Sequence, residues 1–164
     1  MSVEAEAARR EFLTCRLGGE SYGIDILQVQ EIREVRQVTR VPHVAHYVRG
    51  VINLRGIIVP IFDLRTRFGI GVTVPTTMHV VIIVAAGTRT VGLLVDTVSD
   101  IISVDPKEIR DVPEMGMPSE DQFLEGLVAI ENRMVTLVSL AGLFGMPGGA
   151  PKRSASDSNG AIAA

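Results

Sequence analysis

Residues 48–69, VRGVINLRGIIVPIFDLRTRFG, decide how the rest of the chain is read. Two apolar runs flank Asn53-Leu54-Arg55-Gly56, the pattern of a β-hairpin whose turn needs a positive φ, which Gly56 supplies. Asn53, Arg55, Pro60 and Asp63 stand in or between those runs, where polar groups and a proline cost stability unless each has a specific place. Pro60 has no amide hydrogen to give a ladder, so it marks a strand edge or a bulge. Asn53 and Arg55 fall at the hairpin tip. The planar fork of Arg55 suits a partner's carboxylate or carbonyls, and equally an internal pair with Asp63.

Working outward, further short Val-, Ile- and Leu-rich runs read as strands: FLTCRL, SYGID, MHVVIIVA, TVGLLV, FLEGLVAI and RMVTLVSL. Gly18-Gly19 and Gly87-Thr88 supply tight turns between pairs of them. The two halves overlay. FLTCRLGGESYGIDILQVQEI from Phe12 falls without a gap on VIIVAAGTRTVGLLVDTVSDI from Val81, so that Gly23 meets Gly92 and Val29 meets Val98. The opening stretch falls on LEGLVAIENRMVTLVSLAGLFG from Leu124, where Gly50 meets Gly126 and Leu64 meets Leu140. DILQVQEI reads as a helical crossover with Asp25 as N-cap and Gln28 three residues on. The predicted fold is mainly β: two small five-stranded barrels, SH3-like or OB-like, packed around a shared core with short helical crossovers. Strands exchanged between the halves are compatible with this pattern. Residues 1–10 read as a flexible N-terminus, 11–146 as the folded domain, and 147–164, rich in Pro, Gly, Ser and Ala, as a disordered tail.

The bulk numbers exclude several classes of function. Of 164 residues, 46% are hydrophobic and 21% charged, a globular composition, and the net charge of −3 offers no field for nucleic acid or an anionic membrane. Aromatics are only 4% with no Trp, too few for base-stacking platforms. The longest apolar runs fall far short of a membrane-spanning helix, and one cysteine, Cys15, allows no internal disulfide; a cytoplasmic protein is expected. His43 and His46 lie three apart after Pro42 without ligand-spaced Cys, Asp or Glu, so no metal site is read there. No nucleophile elbow, Walker pattern or dinucleotide fingerprint occurs, and Asp63, Asp96 and Asp100 show no catalytic partner in the sequence. Contact, rather than catalysis, is the function that remains.

RGVINLRGIIVPIFDLRTRFG resembles the signature of the CheW family, bacterial chemotaxis coupling proteins, in which Asn-x-Arg-Gly is followed by Pro and then Asp-Leu-Arg. YGIDILQVQEIREV, VTRVP, VGLLVDTVSDI and EGLVAIENRMVTLV are similar to family segments in family order, so the resemblance covers residues 11–146. It implies a non-enzymatic adaptor without metal or cofactor, built from two five-stranded barrels around a shared core. One surface is expected to bind the cytoplasmic hairpin tip of a chemoreceptor (a methyl-accepting chemotaxis protein), another the regulatory domain of the histidine kinase CheA. The location implied is cytoplasmic, at membrane-associated receptor clusters. Carried over position by position, the receptor-facing residues are Val29, Glu31, Gly50, Arg55, Val98 and Ile101. Val29 and Ile101 would act as apolar anchors, with Glu31 and Arg55 setting polar register and Gly50 permitting close backbone approach. Core burial is the other reading of Val29, Val98 and Ile101. Two further functions fit the same fold: coupling in a non-flagellar array, and small-ligand binding between the barrels.

Overall fold

The computed structural model describes residues 9–69, 79–112 and 123–144. The expected tail, most of the N-terminal segment and the middle of the second crossover lie outside these residues. Among the described residues the strands are β1 (Arg10–Leu17), β2 (Glu20–Asp25), β3 (Val29–Val35), β4 (Val48–Leu54), β5 (Ile57–Asp63), β6 (His79–Ala86), β7 (Arg89–Val95), β8 (Thr97–Val104), β9 (Leu124–Ile130) and β10 (Arg133–Val138). Two short helices, α1 (Leu64–Arg67) and α2 (Leu140–Phe144), follow β5 and β10.

The strands form two five-stranded sheets, as the sequence pattern predicts: β8-β1-β2-β10-β9 and β3-β6-β7-β5-β4. Each sheet mixes the two halves. The first hairpin, β1–β2, sits among strands of the second half, and β6–β7 sits among strands of the first. The same exchange makes β2 run parallel to β10 and β5 parallel to β7, whereas the other pairings are antiparallel.

Burial explains the sequence patterns strand by strand. Val81 and Ile83 point into one barrel with Ile52, Leu54, Val59, Ile61 and Leu94. Their neighbours Ile82 and Val84 point the other way, into a central cluster with Leu13, Cys15, Leu17, Ile24 and Leu93. Phe12, Ile102, Val104, Val128, Val135 and Leu137 fill the other barrel. A strand lining a barrel with one face and the shared core with the other is apolar at every position, hence VVIIVAA without alternation. Burial pushes the Cys15 thiol up to about 12, which suits a small packing residue and not a nucleophile.

Each barrel is closed by one isolated backbone pairing. Thr39, beyond β3, exchanges hydrogen bonds of 2.9 and 2.8 Å with Val51 of β4, and Arg110, beyond β8, exchanges two of 2.8 Å with Leu127 of β9. The closing strand crosses over a glycine in both cases. A Cβ on Gly50, whose φ is +148°, would stand 2.1 Å from the Thr39 carbonyl oxygen; one on Gly126 would stand 2.8 Å from that of Arg110. Their matching places in the overlaid halves thus have a common steric cause.

Three local expectations change. DILQVQEI is helical only over Ile26–Gln28, where Asp25 accepts from the Leu27 amide at 2.9 Å; from Val29 on it is strand β3. β3 and its counterpart β8 are edge strands exposed over much of their length, so charged residues interrupt their apolar pattern. Pro60 marks only a local edge, since β5 as a whole lies between β4 and β7. It faces Val51, whose amide and carbonyl are both turned to Thr39, and β7 pairs with β5 only from Ile61 onward. No ladder bond at Pro60 is therefore lost. Finally, Arg55 does not pair with Asp63. The two lie at opposite ends of β5, roughly 20 Å apart at ~3.3 Å per residue.

Candidate partner-binding site

Asp63 is fully buried and works inside the fold. One carboxylate oxygen accepts from Arg49 at 2.9 Å, and the other accepts from the amides of Arg65 and Thr66 at the start of α1. Asn53 is also local: its side-chain oxygen accepts from the Gly56 amide at 2.8 Å, closing the turn. In that turn Gly56 has φ +88° and Arg55, unusually for a side-chain-bearing residue, +53°. The backbone thereby lifts Arg55 off the sheet, with two-thirds of its side chain exposed.

The guanidinium of Arg55 reaches across the barrel mouth to Glu31 on β3, donating to one carboxylate oxygen at 2.5 Å. Arg33, two residues along β3, donates to the other at 3.2 Å. The bond from Arg55, and then that from Arg33, hold the Glu31 carboxyl below its usual range. Exposed isoleucines stand nearby along the chain: Ile32 next to Glu31 on β3, and Ile57 and Ile58 at the start of β5 just after the turn, the last two 57% and 61% exposed. An exposed charged pair on elements that also expose large apolar side chains is the composition of a contact surface.

The other carried-over residues fall into distinct places. Val29 on β3 and Val98 on β8 are half-buried and pack against the same central cluster, so that cluster reaches the surface at both. Ile101 on β8 is 54% exposed and so is not a core residue. Gly50 sits under Thr39. Among the described residues no group of three or more His, Cys, Asp and Glu is placed to hold a metal, and no helix is long and apolar enough to cross a membrane.

Two features escaped the sequence reading. Asp100, which overlays Glu31, is paired with Arg133 at 3.1 Å and with the buried hydroxyl of Thr14 at 2.5 Å. The overlay itself carried this signal, since VSDI falls on VQEI. Asp96, just ahead of β8, accepts from both Nε and an Nη of Arg65 at 2.9 Å, and from the Gly18 amide at 2.9 Å. Nothing local in the sequence announces a contact between residues so placed.

Glu31, Asp96 and Asp100 all have lowered pKa values. The leading causes are the bonds from Arg55, Arg65 and the Thr14 hydroxyl respectively. The unfolded chain therefore binds more protons than the folded one in acid. The stability these groups contribute is fully present above the ordinary carboxylate range, about 3.9–4.3, and is lost as pH falls through the lower folded values. Thermal melts should accordingly be flat from pH 7 to about 5 and drop steeply below about 4. Asp96→Asn should lower the plateau and make the acid limb shallower; a limb of native steepness in that variant would remove Asp96 from this account.

Comparison with known proteins agrees with this architecture. A family model described as a CheW-like domain matches residues 11–146. The chain is similar to the chemotaxis protein CheW of Klebsiella aerogenes, 45% identical over 142 residues that cover 87% of this chain and 86% of that protein. It is likewise similar to the chemotaxis protein CheW of Rhizobium meliloti, 42% identical over 82% of this chain and 87% of the relative. The crystal structure of the scaffolding protein TtCheW from Thermoanaerobacter tengcongensis superposes with a TM-score of 0.74 at 32% identity, covering 86% of this chain and 96% of that one. Sheet order, hairpin signature and near full-length similarity coincide, and the chain belongs to the CheW-like domain family.

Proposed function

We propose that this chain is a chemotaxis adaptor that couples the cytoplasmic hairpin tips of transmembrane chemoreceptors to the histidine kinase CheA. The observation that carries the reading is the exposed Arg55–Glu31 pair, whose turn and strand are followed or flanked by exposed isoleucines. A helical hairpin recognises such a surface by laying apolar side chains against the isoleucines while its polar groups compete for the arginine fork. Val29, Val98 and Ile101 add apolar contact beside it. The names of the relatives, chemotaxis proteins and a scaffolding protein, support the same role. The kinase's regulatory domain is taken up on a separate surface, and the adaptor joins receptor clusters from the cytoplasm. Contacts that are weak singly suffice in a lattice, where binding is multivalent. Receptor state then biases kinase conformation through differential binding.

The test is co-sedimentation of the native protein with receptor cytoplasmic fragments clustered on vesicles, with and without the kinase. The protein should pellet with receptor alone and carry additional kinase into the pellet. A protein that stays in the supernatant with both partners present would rule this function out.

A further inference from the structure

The overlay of the two halves exposes an asymmetry at the joint between the barrels. α1 falls on α2, so Arg65 meets Ala141 and Arg67 meets Leu143; Asp96 meets Leu27. On one side of the joint the carboxylate of Asp96 therefore receives a two-bond fork from Arg65 and a third bond from the Gly18 amide. The Asp96 amide in turn donates to the Arg16 carbonyl at 3.1 Å. Arg67 adds a second cation, its guanidinium lying 5.2 Å from the Tyr47 ring and 4.9 Å from the Phe123 ring. These rings precede β4 of one sheet and β9 of the other, and they occupy matching places in the two halves. On the opposite side of the joint stand Ala141, the buried Leu143 and Leu27, which is 89% exposed.

The consequence is mechanical. The central cluster that glues the barrels together is apolar, and apolar attraction has no preferred direction. A forked guanidinium–carboxylate contact does have one. Arg65 follows β5 of the sheet that contains β3; Asp96 is the single residue between β7 of that same sheet and β8 of the other, and it is tied to the other sheet at β1 through Arg16 and at the next turn through Gly18. We propose that Arg65 and Asp96 are positioning residues whose strut fixes the angle between the barrels, and with it the spacing of β3 and β8 on which a helical partner is read. The second part of this inference rests on the receptor reading above. The strut touches no partner itself; it acts through Val29 and Ile32 on β3 and Val98 and Ile101 on β8.

The test separates the two parts. Spin labels at Gln30→Cys and Ser99→Cys, exposed and matching positions on β3 and β8, report the spacing by pulsed dipolar spectroscopy without any partner. Native Cys15 is fully buried and stays unlabelled. The native background should give one narrow distance. Asp96→Asn should broaden it at least twofold, and Arg65→Lys, which keeps the charge but loses the fork, should broaden it as well. In unlabelled protein the same substitutions should lower capture on clustered receptor fragments roughly fivefold while kinase capture stays at the native level. A distance left narrow by Asp96→Asn would overturn the strut. A broadened distance with native receptor capture, or receptor and kinase capture lost in parallel, would overturn the positioning role. If the native protein captures no receptor, the receptor part is refuted while the distances still decide the strut.

Discussion

Arg55→Ala should reduce capture on clustered receptor fragments at least tenfold and leave the thermal midpoint within about 2 °C of native. The two halves of this expectation have separate grounds. Arg55 is two-thirds exposed, and exposed ion pairs contribute little to folding because water solvates both ends well. Its backbone already adopts φ +53°, so alanine inherits that conformation and adds no new strain of its own. Recognition is another matter, since a partner that covers the pair strips the water and strengthens every bond the fork makes. Alanine also frees Glu31 from its leading partner and leaves its carboxylate with Arg33 alone. Glu31→Gln should weaken capture less, because it removes the charge and keeps an acceptor. A midpoint lowered by many degrees with capture intact would make Arg55 a pin of the barrel mouth and not a contact residue.

Gly50→Ala, a single added methyl, should destabilise the fold severely. The new Cβ would stand 2.1 Å from the Thr39 carbonyl oxygen and 2.9 Å from a Val38 methyl, and alanine at φ +148° is strained before any contact is counted. Backbone cannot yield there without breaking the Thr39–Val51 pair, the bridge that closes the barrel. A loss of roughly 3 kcal/mol or more is expected, which lowers the midpoint by about 6–12 °C for a chain of this size. Gly126→Ala makes a useful comparison. Its Cβ would meet an Ile109 methyl at 2.7 Å and the Arg110 oxygen at 2.8 Å, without a positive φ, so about half the loss is expected. Equal midpoints for native and Gly50→Ala would mean that Thr39 moves aside freely and the closing bridge is dispensable.

What the residues announced and what they hid divide along physical lines. The hairpins were legible because their turns carry glycines, Gly18-Gly19, Gly56 and Gly87, and because buried strands such as VVIIVAA are apolar throughout. β3 and β8 were not legible as strands. Being edges, they expose most of one face, and VQEIREV carries three charges in seven residues. The partnership of Glu31 with Arg55 was hidden for another reason. It joins residues of strands that meet only because the sheet curls, and no periodicity along the chain encodes that closure. Asp63 shows the limit of local inference most plainly: its place after an apolar strand suggested a partner at the hairpin tip, but its position at the head of α1 made it a helix cap.

The exchange of hairpins between the sheets has a consequence for how the molecule folds and fails. Neither half of the sequence owns a complete barrel: one sheet draws its strands from residues 29–95, and the other, drawn from residues 10–138, cannot be finished until both ends of the chain have met. Assembly therefore waits on loop closures spanning most of the chain, the situation that slows β proteins of high contact order. The same interlocking couples damage. Unravelling β1–β2 takes two strands from one sheet and, through Cys15, Leu17 and Ile24, opens the core that supports the other. The two barrels then melt as one cooperative unit, with no half-folded form in which one barrel outlives the other.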